Sequence, residues 1–339
     1  MTEQEQQQRS AGYWRLVWRQ YRRNRPALLG AALVLFFGAL SLAAPFLAND
    51  TPLWLVKGGK TYPLPNVITY ADLQAENLYN NFDRWRPGPG EYALWPPVPH
   101  GPLRQDLRAR LSPPGPIHWF GTDDRGRDVL SRIIWGGRIS MSVGFISIGI
   151  AVVVGVILGA LAGYYGRWVD AAVLRLIEIW MCVPSFFLII TVMALLEPGI
   201  MNIMVVIGLT SWPGVARLVR GEFLKQKEMD YAAAARALGL GDGRVIFRHI
   251  LPNAVSPVFV AATFGVAGAI LTESGLSFLG FGVPPPTASW GEILKQSQSY
   301  VDFVCWLVLF PGIAIFLTVV AFNLVGDGLR DAMDPRLRQ

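Results

Sequence analysis

The side chains that most often do chemistry in proteins are few and far apart in this chain. Its three histidines, His100, His118 and His249, are scattered, with no HExxH pattern and no Cys/His spacing that suits zinc. Residues 59–61 resemble the end of a phosphate-binding loop, but Trp54 occupies the position where that motif needs its first glycine. No GxSxG occurs either. The sequence therefore predicts a chain with no catalytic centre, no cofactor and no metal of its own.

Three ionisable side chains lie inside apolar segments, where such groups are functional candidates by default. Arg175 and Glu178 are three residues apart, so they share one face of a helix, and mutual pairing is the simplest interpretation. Glu273 lies deeper, within LTESGLSFLGFG. Two interpretations of Glu273 stay open: it lines a substrate path, or it bonds to a neighbouring helix.

The composition indicates a membrane protein. Hydrophobic residues make up 52% of the 339 residues and charged residues 16%, against roughly 25% charged in soluble domains. The net charge of +6 does not indicate nucleic-acid binding, because Arg and Lys cluster beside apolar blocks without interleaved aromatics. Cys182 and Cys305 each lie inside an apolar block, which favours packing over a disulfide or a metal site.

Six apolar stretches approach the roughly 20 residues that a membrane-spanning helix needs. Pro184 and Pro213 are expected to kink the helices that contain them. The first apolar run, 26–47, exceeds the 7–15 residues of a secretory signal and predicts an uncleaved anchor. The stretches are 27–47, 139–164, 173–196, 200–218, 255–281 and 303–325.

The distribution of arginines predicts the orientation in the membrane. Six arginines precede the first apolar block and place residues 1–25 in the cytoplasm, and six spans place the tail, 327–339, there too. Arginines also occur at 125–138, which this topology places outside, but long loops translocate largely regardless of charge. The tail arginines that fit the cytoplasmic side are Arg330, Arg336 and Arg338.

The long loop at 48–138 is rich in proline and aromatic residues. Twelve of the 24 prolines fall between residues 52 and 116. Proline blocks long helices and central strands, whereas aromatic residues are rare in disordered tracts. A compact, irregular cap on the outer face is predicted, with a poorly ordered insertion as the alternative.

A polar, basic stretch at 222–252 separates the fourth and fifth apolar blocks. Tyr231, Ala234, Ala235 and Leu238 recur at i, i+3, i+4 and i+7, which predicts a helix over 222–238. Gly239 is expected to end that helix. The stripe is narrow and most of its side chains are small, so it could enter a groove on a partner protein. The alternative is that the stretch is only a solvated connector between two spans.

A second short helix is expected over 243–250. Val245, Ile246 and Ile250 supply its apolar contacts, and Arg244 and Arg248 its charge. Pro252 would mark the break where the chain returns to the membrane. The two helices together would form a lever that transmits motion to the adjoining spans.

The spacing of Ala234, Ala235, Gly239 and the Leu-Pro pair ending at Pro252 resembles the EAA loop of ABC-importer permeases. Ala233 stands where that family has glutamate, and His249 where it has isoleucine. The RHILPN ending at 248–253 is typical of the dipeptide and oligopeptide branch. Three further segments resemble the C-type peptide permeases, so the resemblance covers the chain from Tyr13 onward. These segments are 120–140, 276–282 and 327–338.

Within that family the long loop is most similar to the YejE-type subgroup, associated with microcin C and oligopeptide import. The resemblance implies an all-α polytopic fold: six transmembrane helices of the type I ABC importer permease fold, with a large irregular periplasmic loop. The implied divisions are a cytoplasmic segment at 1–25, a first helix at 26–47, the loop at 48–138, a core of five helices at 139–326 that includes the polar stretch at 222–252, and a cytoplasmic tail at 327–339.

The resemblance also implies a non-catalytic permease subunit in the bacterial inner membrane, with both termini cytoplasmic. Its partners would be a B-type permease, two ATPase subunits that bind ATP and Mg²⁺, and a periplasmic peptide-binding protein. Glu273 and Arg138 would lie near the translocation path or gate. The residues implied in ATPase coupling are Tyr231, Ala233, Ala234, Ala235, Leu238, Gly239 and Pro252.

Two other functions are weighed against this one. An ion-coupled secondary transporter would need no ATPase and should show inverted repeats or a buried relay of acidic residues, neither of which the sequence shows. A non-transporting membrane scaffold would bind its ligand through the long loop. ATP-dependent peptide uptake would distinguish all three.

Overall fold

The computed structural model describes residues 13–82 and 84–334, with side chains from residue 15 onward. The glutamine-rich start at 4–8 lies outside the described residues, as do Arg336 and Arg338. The principal helices are α1 Tyr13–Tyr21, α2 Arg25–Leu42, α3 Val129–Tyr165, α4 Arg167–Met181, α5 Ser185–Leu195, α6 Ile200–Lys227, α7 Asp230–Ala237, α8 Ser256–Phe278, α9 Trp290–Ser297 and α10 Trp306–Met333.

Five of these helices, α2, α3, α6, α8 and α10, are long and apolar enough to cross a membrane. The pair α4 and α5 passes the same test only together, and it is bent by 78°. Among the described residues the count is therefore five, or six if the bent pair is one span. The bend confirms the kink predicted at Pro184, whose extended ψ of 124° at the N-cap of α5 interrupts the helical run.

Several helix bounds differ from those predicted. Helix α3 begins at Val129, ten residues before the predicted span and inside the predicted loop, because Asp128 accepts a hydrogen bond from the Ser131 backbone N–H at 2.7 Å and caps the helix. Helix α6 runs through Pro213 to Lys227 instead of ending near 218. Helix α10 starts at Trp306 and continues to Met333, and α8 stops at Phe278. Hydropathy identifies the apolar part of a helix, and polar turns extend it.

The loop holds a small sheet, so the all-α prediction is wrong for this segment. Strands β1 Trp54–Lys57, β2 Lys60–Pro63 and β3 Tyr92–Leu94 pair antiparallel in the order β2-β1-β3. Gly58 and Gly59 both have positive φ, at 58° and 73°, as a two-residue hairpin turn requires. The prediction that the loop is irregular is therefore wrong for these strands. The prediction that it is compact is confirmed by a buried core of Leu55, Tyr62, Leu73, Leu78 and Phe82.

The chain divides into two compact units. The first unit comprises residues 13–34, Val143–Thr272 and 317–334 of the described chain. In it, glycines of α3 allow close approach to α6: a Cβ on Gly159 would lie 2.5 Å from the Ala216 carbonyl oxygen, and one on Gly163 would lie 2.5 Å from Phe223 Cβ. Small residues at such crossings are typical of membrane helix pairs.

The second unit comprises Leu35–Ser142 and Glu273–Phe316. It contains a set of charged side chains, Asp123, Arg127, Arg132 and Glu292, which we call the buried ion cluster. Asp123 Oδ2 lies 2.6 Å from Arg127 Nε and 3.5 Å from Arg132 Nε, and Arg132 also pairs with Glu292. All four residues are at most 4% exposed. Asp123 thus pairs directly with two of the arginines that precede the second predicted span.

Candidate functional site

The segment at 228–254, called the hairpin below, carries most of the predicted site residues. Helix α6 ends at Lys227, and Met229 adopts an extended ψ of 148° before α7 begins at Asp230. The single helix predicted over 222–238 is therefore broken at 228–229. Because of this break, α7 changes direction relative to α6, and one face of α7 packs against α6.

The inner face of α7 consists of two alanines. Ala232 is fully buried and Ala235 is 4% exposed, and both belong to one apolar cluster with Val219 and Phe223 of α6. The predicted apolar contacts of the second helix, at Val245, Ile246 and Ile250, are confirmed, because all three are buried in the same cluster. Small side chains here bring α7 close to its support.

The outer face of the hairpin exposes apolar side chains. Three residues of the predicted stripe, Tyr231, Ala234 and Leu238, are exposed, and Leu238 is 81% exposed, whereas Ala235 lies at the buried edge of the stripe. Ala233 is exposed as well. Phe247, 68% exposed, was not predicted. Its position could have been inferred, because Val245, Ile246 and Ile250 occupy the inner side of that turn and the next residue lies about 100° further round.

The end of α7 is set by Gly239, as predicted. Its φ is +73°, the left-handed conformation that glycine adopts without steric cost. The Gly239 N–H donates to the Arg236 carbonyl at 2.9 Å, and the Leu240 N–H donates to the Ala235 carbonyl at 3.3 Å. A Cβ at Gly239 would meet nothing within 4 Å, so the backbone conformation alone requires glycine.

The return to the membrane follows Pro252 rather than beginning at it. A π-helical turn at Val245–Ile250 continues into a helical turn at Leu251–Ala254, and Pro252 lies in the first turn of that helix. The break predicted at Pro252 is wrong because a proline in a first turn leaves no helical hydrogen bond unmade. Helix α8 then starts at Ser256.

Polar contacts fasten the hairpin to two long helices. The Tyr164 hydroxyl of α3 donates to Asp242 Oδ1 at 2.7 Å, and Lys227 Nζ donates to the Tyr164 carbonyl at 2.6 Å. Arg236 donates to the Lys227 carbonyl at 2.9 Å. Burial raises the pKa of Tyr231, whose hydroxyl donates to the Gln226 side chain at 2.7 Å. A force on the hairpin would therefore pass to both α3 and α6.

Glu273 is fully enclosed in the second unit. Its Oε1 accepts hydrogen bonds from the hydroxyls of Ser277 at 2.7 Å and Ser289 at 2.8 Å, and its Oε2 accepts one from Ser140 at 3.4 Å. Ser289 also caps α9 by accepting from the Glu292 N–H at 3.1 Å. These contacts favour the structural interpretation of Glu273, a tie between helices, over a place on a substrate path.

Arg138 has a different environment, although it belongs to the same unit. Its side chain is exposed, and its guanidinium lies 5.3 Å from the ring centre of Trp135. Both residues line a cavity of about 610 Å³ with Asp50 and Thr287 on its walls. A cation beside an aromatic ring in such a cavity can bind an anionic group.

The first unit has its own cavity, of about 500 Å³. Ser185 and Phe186 of the bent helix α5 line it, and a Cβ on Gly214 or Gly268 would meet nothing within 4 Å. The remaining wall is mostly small and apolar. Such a cavity has room for an apolar side chain of a ligand.

The remaining predicted side chains have simple roles. Arg175 and Glu178 form the expected ion pair, 2.7 Å apart and well exposed, so the pairing interpretation is confirmed. Cys182 and Cys305 are free and exposed, so any packing contacts they make are not with the interior of the chain. Exposed apolar residues on membrane helices contact lipid or partner helices, and sequence cannot distinguish these from interior contacts.

Together these observations define a polytopic membrane protein with a hairpin that presents an uncovered apolar surface. Residues 155–339, more than half of the chain, match the family described as binding-protein-dependent transport system inner membrane component. Residues 12–64 match the N-terminal TM domain of oligopeptide transport permease C. The chain belongs to this family of inner-membrane transport components.

Three relatives resemble the chain over nearly its whole length. The dipeptide transport system permease protein DppC of Alkalihalophilus pseudofirmus is 35% identical over 98% of this chain and 93% of its own. The glutathione transport system permease protein GsiD of Pectobacterium atrosepticum is 35% identical over 96% and 92%. The DppC protein of Haemophilus influenzae is 35% identical over 95% and 94%.

Proposed function

We propose that this chain is the permease subunit of an ATP-driven ABC importer for oligopeptides or peptide-like compounds of the microcin C type. The observation that carries the proposal is the hairpin, which exposes Leu238 and Phe247 while its inner face is fastened to α3 and α6. The relatives named for dipeptide and glutathione transport support a peptide substrate.

The partners follow from what this chain lacks in sequence. It has no phosphate-binding loop, so separate ATPase subunits would bind ATP and Mg²⁺ and carry out hydrolysis. A B-type permease would complete the membrane pathway, and a periplasmic binding protein would deliver the peptide. The chain itself would transmit motion without catalysing a reaction.

The ATPase would bind the outer face of the hairpin. Leu238 and Phe247 would enter its groove, with Tyr231, Ala233 and Ala234 beside them, and Ala235 would hold the inner face. Ala233 offers no carboxylate where related loops have glutamate, so docking would rest on apolar contact and on the exposed Arg244 and Arg248. An acidic rim on the ATPase groove would match this charge.

Closure of the ATPase would then move α3 and α6 together. The buried pair Ala232 and Ala235 would pass the force to α6, and the bond from Tyr164 to Asp242 would pass it to α3. Gly239 and Pro252 would fix the two ends of the lever. Rigid-body rocking of packed helices is an established way to open and close a gate.

The orientation belongs to the same proposal. The hairpin and both termini would lie in the cytoplasm of a bacterium, and residues 48–128 would face the periplasm. Arg138, exposed beside Trp135, would lie near the path and attract an anionic group of the substrate. Glu273 would instead hold the helices that surround the path.

The test is peptide uptake into proteoliposomes that contain the chain with its neighbouring subunits. Leu238→Asp is expected to lower ATP-dependent uptake at least about 30-fold, because removal of a central interface contact costs about 2 kcal/mol or more. Leu107→Asp is the matched control, since Leu107 is 68% exposed on the other unit, and it should leave uptake unchanged.

Two further results decide between the functions. Gly239→Pro should also abolish uptake while membrane insertion stays intact. Uptake that persists in both hairpin variants would refute the coupling role, and uptake driven by a proton gradient without the ATPase would establish the ion-coupled alternative. Peptide binding by the loop without any uptake would indicate a scaffold.

A further inference from the structure

Two histidines that are distant in sequence come together in the second unit. The rings of His100 and His118 lie with their centres 4.5 Å apart, and His118 Nδ1 is 3.0 Å from Asp128 Oδ2. The sequence, in which the three histidines are scattered, gives no indication of this contact. The cluster contains no residue of the hairpin and plays no part in the coupling proposed above.

The distances within the cluster suit a small metal ion. One potential ligand atom from each of His100, His118 and Asp128 lies within 4.8 Å of the other two. In a tetrahedral zinc site, metal–ligand distances near 2.0–2.2 Å place neighbouring ligand atoms about 3.4 Å apart. The pair His118–Asp128, at 3.0 Å, is within about 0.4 Å of that spacing, and the His100 ligand atom lies within 4.8 Å of both.

Outer contacts orient the three side chains. The Ile117 carbonyl oxygen lies 3.2 Å from His100 Nε2 and can accept its proton, which leaves Nδ1 as the lone-pair donor. The second carboxylate oxygen of Asp128 accepts the Ser131 backbone N–H at 2.7 Å. This N-cap contact holds Asp128 at the start of α3. Metal-binding histidines and carboxylates commonly have such partners.

The cluster combines two imidazoles with one buried carboxylate. Asp128, 2% exposed, supplies the negative charge that a divalent cation needs.

The cluster forms one wall of a cavity of about 540 Å³. Trp85 and Trp95 line the rest of it, together with Arg104 and Asp106. A metal held by three protein ligands would keep its fourth position toward this space. That arrangement is typical of sites that bind an exchangeable ligand, whereas purely structural zinc sites are closed by four protein ligands.

We propose that His100, His118 and Asp128 form a zinc site with one open coordination position facing this cavity. Two imidazoles and one carboxylate are a ligand set that Zn²⁺ uses, and the softer thiolate ligands are not required. The open position would take water or a donor group of a bound molecule. The hydrogen bond between His118 and Asp128 would give way to two bonds to the metal.

The experiment uses the full-length chain in detergent, freed of metal with a chelator and titrated with Zn²⁺. We expect one ion per chain, and we expect His100→Ala and His118→Ala each to weaken binding more than about tenfold. His249→Ala is the matched control, because His249 lies outside the cluster, and it should bind Zn²⁺ as the unchanged chain does.

Further measurements keep the result clear if a variant folds poorly. Asp128→Asn retains an oxygen to cap α3 but removes the charge, so it should fold and still weaken Zn²⁺ binding. Zn²⁺ should raise the Tm of the unchanged chain and of His249→Ala but not of His100→Ala. Absence of saturable binding, or equal affinity in His100→Ala and the unchanged chain, would overturn the proposal and leave Asp128 as a helix cap that also contacts His118. Peptide uptake is a separate readout, so either proposal can fail alone.

Discussion

The hairpin and the buried ion cluster show opposite arrangements: the first exposes apolar side chains, and the second buries charged ones. The hairpin hides two alanines and exposes Leu238 and Phe247, so its binding surface is open. The ion cluster hides Arg132 and Glu292, and their charges are paired inside the chain. A surface that must bind a partner leaves apolar groups uncovered, whereas a site that must hold its shape pairs its buried charges within the chain.

The comparison predicts where substitutions will destabilise the fold. Changes in the ion cluster should cost the most, because a buried charge without its partner is very unfavourable. Changes on the inner face of the hairpin should cost less, and those on its outer face almost nothing. Stability of the purified chain in detergent, followed by thermal unfolding, measures all of them on one scale.

The largest effect is expected for Glu292→Ala, which leaves the fully buried Arg132 without one carboxylate. The loss should be about 3–5 kcal/mol of unfolding free energy. Lys295→Ala on the same helix is the control, since Lys295 is exposed and should change stability by less than about 0.5 kcal/mol. Equal Tm values for the two variants would show that the cluster contributes little.

The next effect concerns the inner face of α7. Ala235→Leu adds three carbons where Ala235 is 4% exposed, and overpacking should cost about 1–3 kcal/mol. Its neighbour Ala234 is exposed, so Ala234→Leu should leave the Tm almost unchanged. If Ala234→Leu were the more damaging of the two, the inner and outer faces assigned to α7 would be reversed.

A smaller loss is expected at the end of α7. Gly239→Ala forces a side chain into φ +73°, which should cost about 1–2 kcal/mol although nothing obstructs the new Cβ. Gly243→Ala tests the steric explanation, because its site is equally open but has no positive φ, and it should be neutral or slightly stabilising. Equal losses at both glycines would contradict the backbone explanation.

The smallest effect is expected for Tyr164→Phe, which removes the hydroxyl that donates to Asp242. A hydrogen bond to a carboxylate contributes about 1.5–3 kcal/mol, and because Asp242 is exposed to water the contribution here should fall to about 0.5–1.5 kcal/mol. Tyr165→Phe is the control, as Tyr165 is 47% exposed. A measured loss in uptake larger than the loss in stability would indicate that this bond carries force as well as structure.

Local signals in the sequence predicted much of the fold. Gly239 and Pro184 were predicted correctly because each acts through its own backbone: glycine accepts positive φ, and proline cannot continue a hydrogen-bonded helix. The centre of each apolar block except the third lies on one long helix, since about 20 apolar residues suffice for a span, and the third block is divided between α4 and α5. The inward positions of Val245, Ile246 and Ile250 also follow from local periodicity.

Features that depend on distant contacts were missed. The contact of His100 with His118 needs a folded loop, and the burial of Ala232 needs α7 to turn at Met229. The small sheet had a local signal in Gly58 and Gly59, but the prolines around it outweighed that signal. The inward position of Ala235 could not be predicted from its spacing, because a period of 3.6 residues does not say which edge of a stripe is covered.

The bend of 78° between α4 and α5 bears on how the protein enters its membrane. With 15 and 11 residues, the two helices extend roughly 22 Å and 16 Å, each short of the hydrocarbon core of about 30 Å. Neither can partition into lipid as an independent unit during synthesis. The segment should therefore be retained at the insertion machinery until α6 emerges and folds against α5, so that biogenesis at this point proceeds by a helix pair rather than by one helix at a time.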